Sequence, residues 1–244
     1  MKRLLYEVSV LLLILVPLAI MGISAGASAD GNSIDKVYDP YVNQLEKELE
    51  YRVLYQDDND DERDGAQRHI LGAGLSWSDN LFTELYLIGK KTPAEDFEIS
   101  AVEAEVKIQL TEQGEYSRDW GVLFELEAER DEHIREASTT LIVLQEWSRW
   151  VGTANLSLGY EWGNDIDNEW ETAFAGQLRY RYRAALEPAL ELYWGESSQG
   201  LGPVISGSQR LGGRRQLMWE LGVILGLDDE TPDRNWKLTL EYEF

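Results

Sequence analysis

Apolar and polar residues alternate along most of the chain after about residue 45. In the stretch 235–244, every even position is apolar and every odd position is polar. The stretches 49–55, 120–129, 186–194 and 216–226 repeat this alternation. Because successive side chains of a β-strand point to opposite faces, the pattern predicts strands with one apolar face and one polar face.

About twelve such segments follow one another, and ten is the alternative count because two of them are ambiguous. The sixth has no clear phase, since residues 141–144 are all apolar. The tenth contains Pro203 among several glycines, which suggests a sheet edge, a bulge or a strand start. The predicted strands are 45–56, 67–77, 81–89, 98–110, 119–129, 138–147, 152–162, 169–182, 186–195, 200–208, 215–226 and 235–244.

A soluble β-sandwich would show the same alternation, but the length of the strands favours a membrane protein. Many segments have 9–11 residues, which is the length that a tilted strand needs to cross a bilayer. Tryptophan occurs near the ends of the apolar phase, as in an interfacial aromatic girdle. We therefore predict an all-β fold, a transmembrane antiparallel up-and-down β-barrel. The girdle residues are Trp77, Trp162, Trp170, Trp194 and Trp236.

Charged residues within the strands keep to the polar phase. One charge on the lipid face at the bilayer midplane costs up to about 2–4 kcal/mol, so this phase must face the lumen. The predicted lumen-lining residues are Glu48, Glu50, Arg52, Glu84, Glu103, Glu105, Lys107, Glu125, Glu127, Arg179, Arg181, Glu187, Glu191 and Glu220. Because acids dominate this set, we expect a passage that prefers cations. The alternative is a narrow interior filled by a hydrogen-bonded network of Glu and Arg, with Arg179 and Arg181 paired to Glu187 and Glu191.

The net charge excludes some classes of function and directs attention to the loops. The chain has 244 residues with 45 Asp and Glu, 22 Lys and Arg, and no Cys. So acidic a protein is not expected to bind nucleic acid, and the absence of Cys excludes Cys-ligated metal centres. Acid is concentrated in alternate connectors, as expected if these all lie at one end of a barrel. In the first connector, Asp57, Asp58, Asp60 and Asp61 form a candidate weak site for a divalent cation, although a solvated, repulsive loop is the favoured interpretation.

The N-terminal segment has the pattern of a secretory signal. Lys2 and Arg3 precede the mostly apolar stretch 4–23, and Ala27 and Ala29 form an A-x-A cleavage site. A permanent membrane anchor is the alternative. We predict a cleavable signal peptide at 1–29, a short periplasmic leader or inward-folded stopper at 30–44, and the barrel at 45–244.

No motif indicates catalysis. The chain has two histidines, His69 and His133, and Ser138 does not lie at the spacing of a known nucleophile motif. We therefore predict no enzymatic activity and no cofactor, with an outer-membrane hydrolase as the least favoured reading.

The terminal strand resembles that of Gram-negative outer-membrane β-barrel proteins. The matching residues are Leu238, Leu240, Tyr242 and Phe244. The resemblance implies recognition of this strand by the barrel-assembly machinery, and contact with outer-membrane lipid and lipopolysaccharide. More loosely, residues 38–42, 110–115 and 201–203 resemble putative outer-membrane transporters of the phenol meta-pathway type. We expect a porin-like or transporter-like barrel for small solutes, or else a non-conducting structural or adaptor barrel whose acidic loops bind cations or a partner.

Overall fold

The computed structural model describes residues 34–61, 63–130, 134–164, 166–196 and 198–244. The predicted signal peptide and His133 lie outside these residues. Among the described residues, no helix is long and apolar enough to cross a membrane.

Twelve antiparallel strands form one closed barrel, in which each strand pairs with its neighbours in sequence and β1 pairs with β12. The predicted fold class and the count of twelve are confirmed, and the alternative count of ten is wrong. The strands are β1 Lys47–Asp57, β2 Gln67–Ser76, β3 Leu81–Lys91, β4 Glu98–Gln109, β5 Asp119–Glu129, β6 Arg135–Trp147, β7 Trp150–Trp162, β8 Glu169–Tyr180, β9 Glu187–Trp194, β10 Gln199–Gly212, β11 Arg215–Gly226 and β12 Arg234–Glu243.

The register carries the charged phase of each strand onto the interior face. Glu50 lies opposite Glu241 on β12 and opposite Gly72 on β2, so these residues share a face. Glu50 is 1% exposed, whereas Leu85, on the apolar phase of β3, is 67% exposed. Apolar side chains therefore cover the outside, as a barrel in lipid requires.

Strand β6 shows which half of an ambiguous apolar run faces inward. Gly121 of β5 lies opposite Ile142, and Asp119 lies opposite Leu144. Ile142 and Leu144 are accordingly buried inside the barrel, while Leu141 is 37% exposed on the outside. Neighbouring strands decide this phase, because the run itself carries no alternation.

Strand β10 extends over Gln199–Gly212, which is longer than the predicted 200–208. Pro203 lies opposite Leu190 of β9, within a closed barrel, so the expectation of a sheet edge is wrong. A Cβ added at Gly202 would lie 1.8 Å from the carbonyl oxygen of Val223. Glycine at this position lets the backbones of β10 and β11 approach closely beside the proline.

The two ends of the barrel differ in their connectors. The start of β1 and the chain terminus lie at one end, where the Phe244 N–H donates to the Lys47 carbonyl at 2.9 Å. We call this the inner end, since outer-membrane barrels have short periplasmic turns. Its connectors are 77–80, 110–118, 148–149, 181–186 and 213–214, and those of the opposite outer end are 58–66, 92–97, 130–134, 163–168, 195–198 and 227–233.

Candidate functional site in the barrel lumen

Residues 34–43, which we call the lumen segment, lie inside the barrel. Its first residue packs into an apolar cluster, and Ser76 donates a hydrogen bond to the carbonyl of its last residue, Asn43, at 2.7 Å. Of the two placements expected for the leader, these contacts correspond to the inward-folded one. The apolar cluster consists of Ile34, Leu54, Tyr193, Val204 and Ile224.

Ion pairs anchor the outer half of the lumen segment. Asp35 Oδ2 accepts a hydrogen bond from Arg52 Nη1 at 2.6 Å. Lys36 contacts Glu50 and lies 3.7 Å from Glu241. Arg52 Nε is also 2.9 Å from Glu50, so the four charges of Asp35, Arg52, Glu50 and Lys36 form a continuous chain. Buried charges need such partners, because burying an isolated ion costs several kcal/mol.

Tyr38 is held at the middle of the lumen by its backbone and by its hydroxyl. Its N–H donates to Asn155 Oδ1 at 2.7 Å, and its carbonyl accepts from Asn155 Nδ2 at 2.9 Å. The hydroxyl donates to Glu105 Oε1 at 2.5 Å. One buried side chain on β7 thus satisfies the backbone of a segment that has no strand partner at this point.

The inner half of the lumen segment is held by hydrogen bonds. The Tyr41 hydroxyl donates to Asp119 Oδ2 at 2.6 Å, and the Val42 N–H donates to Gln109 Oε1 at 2.7 Å. Burial and the neighbouring carboxylate raise the pKa of the Tyr41 phenol, so the hydroxyl keeps its proton and remains a donor. The segment therefore follows the lumen from the apolar cluster to the inner end.

A second network joins β9, β11 and β12 on the interior face. Lys237 Nζ lies 2.8 Å from Glu191, 3.0 Å from Glu220 and 2.8 Å from the Tyr193 hydroxyl. Gln177 of β8 donates a further hydrogen bond from its Nε2 to Glu191 Oε1 at 2.7 Å. Because Glu191 is 0% exposed and Lys237 is 4% exposed, this network is shielded from solvent.

Carboxylates also converge at three places on the described part of the barrel, and Lys36 approaches one of these groups at Glu241. Three groups each bring their oxygens within 4.8 Å of one another, and the group on β4 and β5 lies beside Tyr38. Ser138 donates to Glu125 in that group at 2.7 Å. The groups are Glu46, Glu48, Glu241 and Glu243; Glu103, Glu105 and Glu125; and Glu161, Glu169 and Glu171.

The structure places the predicted lumen-lining residues of the strands on the interior face. Those on β1 to β5 surround the lumen segment, Glu191 and Glu220 contact Lys237, and Arg179 and Glu187 pair with each other. They are Glu48, Glu50, Arg52, Glu84, Glu103, Glu105, Lys107, Glu125, Glu127, Arg179, Glu187, Glu191 and Glu220.

One of the two expected arginine pairs is wrong. Arg179 lies 3.2 Å from Glu187, as expected. Arg181 instead pairs with Glu146 of β6 at 2.6 Å, and Glu191 is held by Lys237. The β8–β9 ladder ends at Arg179, so Arg181 lies beyond it and reaches the inner end of β6.

Arginines lie beside three of the four carboxylates of the predicted acidic loop site. Asp57 pairs with Arg234 at 3.0 Å. Asp58 and Asp60 lie 3.3 and 3.7 Å from Arg63. None of the three carboxylate groups contains one of the four predicted residues, Asp57, Asp58, Asp60 and Asp61.

His69 lies on the outside of the barrel, away from the lumen. Its Nδ1 is 2.8 Å from the Tyr51 hydroxyl, and its ring packs edge-on against Phe97 with centroids 5.4 Å apart. Hydrogen bonding and packing account for this residue.

The lumen is tightly filled beside the lumen segment. The cavity lined by Asp35, Arg52 and Lys237 has a volume of about 10 Å³. This is about the smallest volume that holds one water molecule. The segment therefore leaves little free volume beside Asp35 and Arg52.

Sequence reasoning missed the roles of Lys36, Tyr38, Tyr41 and Asn155. The leader shows no periodicity, so nothing local indicates which groups it contacts. One signal was present, since Asn155 interrupts a strand that is otherwise rich in small and apolar residues. A buried amide in such a strand needs a partner.

The closed twelve-stranded barrel, with charge inside and apolar side chains outside, defines the fold as a transmembrane antiparallel β-barrel. The class predicted from the sequence is confirmed.

Solved structures of the same class share this fold. The KdgM porin in complex with disordered oligogalacturonate aligns with a TM-score of 0.55 and 11% identity, covering 81% of this chain and 99% of that chain. An outer membrane channel from Pseudomonas putida F1 aligns with a TM-score of 0.56 and 13% identity, covering 88% and 99%. At such identities the likeness shows the fold alone. No protein-family model and no curated protein matches the sequence. The resemblance to phenol meta-pathway transporters stays a prediction.

Proposed function

We propose that the protein is an outer-membrane channel for small solutes that prefers cations and is closed at rest by the lumen segment. The observation that carries the proposal is that a separate piece of chain fills the lumen through polar contacts. Asp35, Lys36, Tyr38 and Tyr41 each meet a polar side chain of the barrel. Such contacts can be exchanged for contacts with water, and the apolar surface that the segment would expose on leaving centres on Ile34 and its cluster.

We base the cation preference on the carboxylates that would face the passage once the segment has left the lumen. Glu50, Glu105 and Asp119 would lose Lys36, Tyr38 and Tyr41 as partners and would face the passage. Rings of carboxylates attract cations and repel anions. Oligogalacturonate, which is named with one structural neighbour, is a polyanion, so we do not extend that ligand to this chain.

Conductance in planar bilayers tests whether the lumen segment closes the channel. The double variant D35N/K36Q removes both ion-pairing charges of the segment, yet leaves the net charge unchanged. We expect rare openings in the wild-type protein and frequent openings in the variant. An absence of channel events from both proteins, across several salts, would refute the proposal.

Reversal potentials in a salt gradient test the selectivity. E103Q/E105Q removes two lumen carboxylates and should lower the preference for K⁺ over Cl⁻ in the open state. E95Q/D96N removes two charges from the exposed 92–97 connector and serves as the matched control. Equal effects of both variants would point to the overall charge of the protein instead of to the lumen.

The filled lumen also favours a second candidate, a non-conducting structural or adaptor barrel. In that case the ion pairs of Asp35 and Lys36 serve only to stabilise the interior. D35N/K36Q would then lower the resistance to unfolding and produce no conductance, which separates the two candidates in a single variant.

We further propose that the barrel resides in the bacterial outer membrane, where it contacts lipid and lipopolysaccharide. Recognition of the terminal strand by the barrel-assembly machinery rests on Leu238, Leu240, Tyr242 and Phe244. Substituting Phe244 by Ser should slow insertion in cells and leave spontaneous folding in detergent unchanged.

A further inference from the structure

Arginines are concentrated on one half of the inner end. Three consecutive inner connectors include or adjoin Arg149, Arg183 and Arg215, and all three residues are exposed. The other two inner connectors, 77–80 and 110–118, contain three acidic residues and one arginine. The charge of the inner end is therefore asymmetric.

Backbone hydrogen bonds join the first two of these connectors to each other and the second to strand β10, which leads to the third. The Arg181 N–H donates to the Arg149 carbonyl at 2.8 Å, and the Ser208 N–H donates to the Ala184 carbonyl at 2.7 Å. We call this surface, residues 147–150, 180–185 and 210–215, the inner-rim arc. Its arginines lie on or beside three consecutive hairpin turns of the inner end.

Aromatic residues place the arc at the level of a membrane interface. Trp150 and Tyr180 are in contact on the outer face of the barrel, with ring centroids 4.9 Å apart. Tyr182 follows just beyond the end of β8 and is 58% exposed, and the Arg183 guanidinium lies 5.9 Å from its ring centre. Amphipathic rings of this kind occupy the headgroup region of a bilayer.

The three arginines have unused capacity to bind an anion. In the part of the chain that the structure describes, Arg149, Arg183 and Arg215 form no ion pair with a carboxylate, whereas Arg179 and Arg181 are paired with Glu187 and Glu146. Arg215 occupies the phase of β11 that faces outward, and its Nε makes a long contact of 3.4 Å with the Gly212 carbonyl.

We propose that the inner-rim arc binds the phosphate headgroups of anionic glycerophospholipids in the periplasmic leaflet. Guanidinium groups match the geometry of phosphate oxygens, and basic residues beside an aromatic belt attract anionic lipid. The acidic connectors at the opposite end would repel the same lipid, so the arc also favours one orientation. The inference depends on the membrane location proposed above but not on conduction.

Lipid binding to the full-length protein tests the inference. The protein is folded in detergent, titrated with phosphatidylglycerol, and the bound lipids are counted by native mass spectrometry. The variant R149Q/R183Q/R215Q removes the three exposed arginines. We expect the affinity to fall about fivefold for each arginine removed, and the affinity for zwitterionic phosphatidylcholine to stay unchanged.

The matched control is K91Q/R130Q/R234Q, which removes three exposed basic residues at the outer end. This variant should bind phosphatidylglycerol like the wild type. Equal affinities of the wild type and the inner-rim variant would overturn the inference, and so would equal losses in both variants. A heat-dependent gel shift verifies that each variant is folded. Failure of the wild-type protein to insert into bilayers would instead refute the proposed location.

Discussion

Asn155 offers a way to loosen the lumen segment without altering any charge. Its side chain is 2% exposed and makes two hydrogen bonds to the backbone of Tyr38, of 2.7 and 2.9 Å. Each contributes about 0.5–1.5 kcal/mol, so Asn155→Ala should weaken the closed state by about 1–3 kcal/mol. The ratio of open to closed channels should therefore rise by about 5–150-fold.

Single-channel recording measures the ratio of open to closed channels separately from the current through each opening. A variant that only changes the pore would alter the current and leave the ratio unchanged. Thr153→Ala is the matched control, since Thr153 lies two residues away on the same strand and also faces inward. We expect its open probability to match the wild type. If Asn155→Ala opens no more often than Thr153→Ala, the segment is not a gate held by this residue.

Three further predictions concern the stability of the barrel, each measured by urea-induced unfolding in lipid. Lys237→Met should destabilise the barrel by about 3–5 kcal/mol, because it leaves Glu191 and Glu220 buried without their cation; a loss below about 1 kcal/mol would contradict the network. Leu221→Lys puts a charge on the lipid face and should cost up to about 2–4 kcal/mol in a bilayer, with a much smaller cost in the detergent-solubilised barrel. Gly202→Ala should cost about 1–3 kcal/mol, because the new Cβ must displace the β11 backbone; an unchanged midpoint would show that the two strands can separate freely.

The alternation of residues was sufficient to predict most of the barrel. Strand β12 spans Arg234–Glu243, within one residue of the predicted start and end, because its alternation has no exceptions. Strand β10 was underestimated, since glycines and Pro203 weaken the local pattern, while pairing with β9 and β11 holds the strand together. The phase of β6 could not be predicted, because an unbroken apolar run has no period.

The candidate site likewise has features that the sequence determined and features that it did not. The sequence determined that charged side chains face the lumen, because lipid excludes charge and a strand has only two faces. It predicted the Arg179–Glu187 pair between neighbouring strands, but it could not determine the partners of Arg181 and Lys237, since those depend on register and on strands that are distant along the chain. Arg181 reaches Glu146 across the intervening strand β7, and Lys237 reaches Glu191 on β9.

By itself, then, the sequence determined an acidic β-barrel of ten or twelve strands with a charged interior, because the period of a strand and the cost of charge in lipid act locally. Only the tertiary structure decided the state of the lumen. The segment 34–43 has no periodicity, and the side chains that hold it come from several different strands. Contacts between residues so far apart in sequence exist only once the barrel has closed, so no local pattern records them.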